Sequence, residues 1–66
     1  MSQCNSEGIA EFIRLVGELS DFTEDMSDYE VRFMFDSNER IERYGDKVYV
    51  TETQLDFIRN LYKRIL

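Results

Sequence analysis

In MSDYEVRFMF, residues 26–35, the side chains carry every element of a helix start. Ser27 is an N-cap residue. Glu30 stands three positions later and completes a capping box, and Met26 and Val31 occupy the two flanking staple positions. Asp28 and Glu30 in the first turn suit the positive end of the helix dipole. The helix begun here is predicted over residues 28–44, with Gly45 taking the left-handed turn that ends it.

The same grammar recurs downstream in VTETQL, residues 50–55: Thr51 as N-cap, Gln54 three later, Val50 and Leu55 at the staple positions. A helix over 52–65 follows, with Leu55, Ile58, Leu61, Tyr62 and Ile65 on one face and Lys63 and Arg64 at its cation-favouring end. Upstream, Ile9, Phe12, Ile13, Val16 and Leu19 recur at helical spacing, Leu15 widens their face, and a helix over 6–19 is predicted. Gly17 weakens its last turn by up to about 1 kcal/mol. Residues 46–50, containing the alternating KVYV, read as an extended connector. A strand there needs a partner, and pairing it would make the fold α+β. The expected fold is therefore all-α, a compact three-helix domain spanning residues 1–66 as a single domain.

Composition excludes several classes. Cys4 is the only cysteine and there is no histidine, so an internal disulfide is excluded and a structural tetrahedral zinc site nearly so. No apolar run approaches the roughly 20 residues of a membrane span, and the start of the chain lacks the basic and apolar regions of a signal peptide. A cytoplasmic protein is expected. Without histidine, and with Cys4 lacking a basic neighbour in sequence to lower its pKa, no enzyme and no cofactor are expected.

Charge is distributed unevenly. Residues 1–31 hold eight acids and one base, a balance of −7, while residues 32–66 hold six acids and seven bases, a balance of +1. From Glu18 to Glu30 there are six carboxylates and no cation. The stretch lacks the glycine and ligand spacing of a calcium loop, so no metal is expected. Asp28 and Glu30 are explained by the helix start, whereas Glu18, Asp21, Glu24 and Asp25, gathered around Phe22, have no local explanation. Such a surface attracts a basic partner and speeds its association. The candidate partner-binding residues are Glu18, Asp21, Phe22, Glu24, Asp25 and Asp28; Glu7 and Glu11 could extend the band along the first helix.

The bases are mostly paired in sequence: Asp28–Arg32, Asp36–Arg40 and Glu39–Arg43 are spaced i, i+4 in the favourable order. Arg59, Lys63 and Arg64 remain, a small set for phosphate binding; direct nucleic-acid binding through them is the weakest of the functional readings. On the second helix Tyr29, Phe33, Met34, Ile41 and Tyr44 share one arc, and Val31 and Phe35 fall outside it. A helix apolar on two sides is either central in its bundle or in contact with another molecule. Val31, Phe35 and Phe57 are thus candidates for a homodimer interface.

Residues 28–66 also resemble a short helical module of phage and mobile-element proteins. The resemblance rests on Tyr29, Glu30 and Phe33, on the Arg43-Tyr44-Gly45 turn, on the Thr51, Gln54, Leu55 helix start, and on the closing leucine and isoleucine helix. It implies a helical fold and a phage or mobile-element origin. Small acidic phage proteins are similar in kind to inhibitors of host machinery, including anti-CRISPR and other anti-defence proteins. The acidic first half is an addition to the module.

Overall fold

Both capping boxes close as their sequences dictate. In the computed structural model, which describes residues 3–66, the Glu30 N–H donates to Ser27 Oγ at 3.3 Å and the Ser27 N–H donates to Glu30 Oε1 at 2.9 Å. The Gln54 N–H donates to Thr51 Oγ1 at 3.2 Å and the Thr51 N–H to Gln54 Oε1 at 3.0 Å. The first helix has a simpler cap, Asn5 Oδ1 accepting from the Gly8 N–H at 2.9 Å. Three helices follow from these starts: α1 (Ser6–Leu19), α2 (Asp28–Tyr44) and α3 (Glu52–Ile65). The protein is an all-α, three-helix domain. Ser27→Ala removes an orphan-donor partner at an exposed site and should cost about 1 kcal/mol in urea unfolding.

The predicted apolar faces of α1 and α3 are the core. Phe12, Leu15, Val16 and Leu19 meet Leu55, Ile58 and Leu61, and all are buried. These two helices run side by side in the same direction. Near their starts the Cys4 N–H donates to the Val50 carbonyl at 2.8 Å, and further along Arg59 reaches Glu11 and Tyr62 reaches Glu18. Two parallel helices bring two positive dipole ends together. Glu7 and Glu52 sit in those first turns and offset them.

Two expectations need correction. The connector is not extended over 46–50: Gly45–Lys47 form a 3-10 turn, and only Val48–Val50 are extended. Gly45 has φ 59° and ψ −134°, a positive-φ conformation but not the left-handed helical one, which turns the chain sharply off α2. The connector also has a partner that the sequence does not supply: the Val50 carbonyl accepts from the Cys4 N–H, and beside it Gln3 and Thr51 form a single antiparallel bridge. Its alternation is real, with Val48 and Val50 buried at 2% and 1% and Tyr49 exposed between them.

The second correction concerns α2, which is not the central helix. That place belongs to α1, which packs on both of the others. The buried line of α2 runs through Met34 and Ser37, flanked by half-buried Phe33 and Ile41. Tyr29 and Tyr44, at the edge and end of the predicted arc, are exposed. Cys4 is buried, and its N–H is bonded to the connector.

The radius of gyration is 11.0 Å. A compact chain of this length should have about 10.8 Å, so the three helices pack as closely as a single domain of this size allows.

Candidate functional site

The stretch joining α1 to α2 is not an open loop. Ser20–Asp25 form 3-10 turns, broken at Phe22, whose φ and ψ are −118° and 26°. Two side chains pin this segment: half-buried Thr23, whose carbonyl accepts from the Met26 N–H at 3.1 Å, and Met26, packed against the core. Short turns of this kind throw consecutive side chains to different sides. Thr23 points inward as a result, while Asp21, Phe22, Glu24 and Asp25 are exposed. Phe22 keeps 37% of its surface accessible. Asp28 is exposed at the first turn of α2.

Ion pairing now divides the acids. Among the described residues, Asp21, Glu24, Asp25 and Asp28 have no cation within 4 Å. Glu18, grouped with them on sequence grounds, is held by Arg14 at 2.9 Å and accepts from the Tyr62 hydroxyl at 3.4 Å. Glu11 is also withdrawn from the outer band, accepting two hydrogen bonds of 2.7 Å from Arg59. The uncompensated set is therefore four exposed carboxylates within residues 21–28, the stretch that also exposes Phe22, with Glu18 as its neutralised neighbour.

The basic residues are more fully used than their spacing suggests. Asp36–Arg40 and Glu39–Arg43 pair at 3.2 and 3.5 Å, as the i, i+4 rule predicts. Asp28–Arg32 does not form, and Arg32 makes no ion pair among the described residues. Two of the three cations left over on α3 are bound at long range. Arg59 forks onto Glu11, and Arg64 donates to Glu30. Only Lys63 of that trio remains free. The bases of α3 thus tie α3 to the other helices and leave little field for a phosphate.

Glu30 does two jobs with one oxygen: Oε1 accepts from the Ser27 N–H and from Arg64. The Ser27 bond, followed by Arg64, holds its pKa below the ordinary glutamate value, against the opposing effect of burial. Glu11 is lowered chiefly by its hydrogen bond from Arg59. With folded values below unfolded ones, the folded protein binds fewer protons. Their stabilisation is therefore complete above about pH 4.3, the ordinary glutamate value, and disappears as pH falls through the lower folded values. The thermal midpoint should fall on acidification below that point. Glu30→Gln, which retains an oxygen for the cap, should make the fall shallower. An unchanged acid limb would show that Glu30 carries none of it.

The candidate self-interface residues do not share a face. Phe57 closes a row of rings, 4.5 Å from Phe33 and 5.7 Å from Tyr29, with Phe33 reaching Phe12 at 6.2 Å. Val31 and Phe35 lie on the far side of α2 from that row; Val31 is half-buried and Phe35 is 72% exposed. Burial pushes the Cys4 thiol above its ordinary pKa, and Glu52 adds to the effect, so the reactive thiolate is disfavoured. Among the described residues, no three carboxylate or thiol groups are placed to hold a metal ion, and no helix is long and apolar enough to cross a membrane.

The chain matches no protein-family model, no curated protein and no solved structure. Its functional reading rests on the site itself. The long-range pairs that reshape that site, Glu11–Arg59 and Glu30–Arg64, carry no signal in a single sequence.

Proposed function

We propose that this is a non-enzymatic, cytoplasmic protein-binding protein that docks its acidic turn on a basic groove of a nucleic-acid-handling protein and blocks it. Asp21, Glu24, Asp25 and Asp28 present the charge, and Phe22 anchors the contact. The observation that carries the proposal is the segregation of charge: these four carboxylates stay unpaired while five of the eight bases are bound to carboxylates elsewhere. A run of exposed anions with an exposed aromatic among them suits a site that otherwise holds phosphates. The resemblance of residues 28–66 to a phage and mobile-element module supports a role against host machinery, of the anti-CRISPR or other anti-defence kind. Reversing Asp21, Glu24 and Asp25 to lysine tests the docking directly: capture of the partner from a bacterial lysate should be lost with the fold intact.

A homodimeric accessory role is favoured by one observation, the exposure of Phe35 on the outer side of α2. It needs only Val31 and Phe35, since Phe57 is engaged with Phe33 and Tyr29.

A further inference from the structure

At the opposite end of α2 from the acidic turn, Arg40, Tyr44, Lys47, Val48 and Tyr49 line a groove of about 400 Å³. Buried Val48 gives it an apolar base, and Tyr44 and Tyr49 are each 54% exposed. Lys47 has no carboxylate within 4 Å. Arg40 is held only by its i, i+4 neighbour Asp36 at 3.2 Å, with both side chains about half exposed. Such surface pairs are worth little and exchange partners readily. Two tyrosine rings beside one free and one exchangeable cation suit an aromatic ring flanked by carboxylates. One free cation is too few for a phosphate chain.

The chain itself carries a segment of that chemistry, the turn Asp21-Phe22-Thr23-Glu24-Asp25. It cannot reach the groove of its own molecule. The 17 residues of α2 separate the two, about 25 Å at 1.5 Å per residue. Any contact is between copies, and it joins two different patches. We propose that this protein associates head to tail, the Phe22 turn of one copy seating between Tyr44 and Tyr49 of the next, with Lys47 and Arg40 meeting its carboxylates. A contact between unlike patches propagates into open chains or closes into a ring. It covers the acidic turn, so the assembled protein holds its docking surface in reserve. The contact needs no outside partner, and its test is independent of the docking role.

Sedimentation of the purified full chain from about 20 µM to about 1 mM covers the range in which a contact this small saturates. Mass should rise with concentration and pass that of a dimer. Phe22→Ala removes the plug and Tyr49→Ala the socket; both sites are exposed, and circular dichroism should report an unchanged fold. Each variant alone should associate at least tenfold more weakly than the wild type. An equimolar mixture should recover one contact, a heterodimer that grows no further. A wild type that stays monomeric throughout overturns the proposal. So does association that neither substitution weakens, the result expected of a symmetric contact through Phe35. Binding of a fluorescent oligothymidylate that Tyr49→Ala abolishes, by a protein otherwise monomeric, would give the groove to nucleic acid and overturn it as well.

Discussion

Phe12→Ala should leave the domain largely unfolded at room temperature. Phe12 is 3% exposed, lies in the middle of the central helix, and meets Phe33 edge-on at 6.2 Å. Truncating a buried phenylalanine costs about 3–5 kcal/mol. A 66-residue chain has a total stability of roughly 3–10 kcal/mol, so the loss consumes much or all of it. The row Phe12–Phe33–Phe57–Tyr29 also loses its buried end, and with it the ring contact between α1 and α2; the contacts of Phe57 with Phe33 and Tyr29 remain. Phe35→Ala is the comparison. That ring is 72% exposed, and its removal should change stability by no more than about 0.5 kcal/mol. Urea unfolding followed by far-ultraviolet circular dichroism separates the two. Equal losses would mean that the outer side of α2 is covered in solution and that α1 is not the core's centre.

The triple reversal Asp21→Lys, Glu24→Lys and Asp25→Lys should weaken partner binding by at least about 100-fold, since each close charge pair across an interface contributes roughly 1.5 kcal/mol or more. The fold should survive. None of the three carboxylates has an ion-pair partner among the described residues. The turn is held from beneath, by Thr23 and Met26. Relieving mutual repulsion among four neighbouring anions could even raise the thermal midpoint. Glu18→Gln should matter far less to binding, because Arg14 already neutralises that carboxylate.

The helices were legible because their signals are local. A capping box is complete within four residues, so Ser27–Glu30 and Thr51–Gln54 placed both starts correctly. The apolar spacing of α1 and α3 named their buried residues almost without error. What the sequence could not show depends on neighbours far along the chain. The arc of α2 follows its most apolar positions, yet the core takes Ser37 and leaves Tyr29 out, because only a thin strip of α2 touches α1. The connector looks partnerless because its partner is Cys4, before the first helix. The acidic stretch was legible as an excess of charge. Its true extent was not, because Glu18 is neutralised by an arginine just outside the stretch and Glu11 by one on another helix.

The docking role is decided by a charge-matched pull-down from a bacterial lysate treated with nuclease. The wild type carries a net charge of −6; reversing three acids to lysine adds six charges and makes any such variant neutral. One bait reverses Asp21, Glu24 and Asp25, and the other reverses Glu39, Glu42 and Asp46, exposed acids at the far end of α2, of which only Glu39 has an ion pair among the described residues, a weak exposed one at 3.5 Å. Mass spectrometry should find a nucleic-acid-handling protein retained by the wild type and by the second bait, and lost from the first. Equal retention by both baits, or equal loss from both, would contradict a docking surface centred on Phe22.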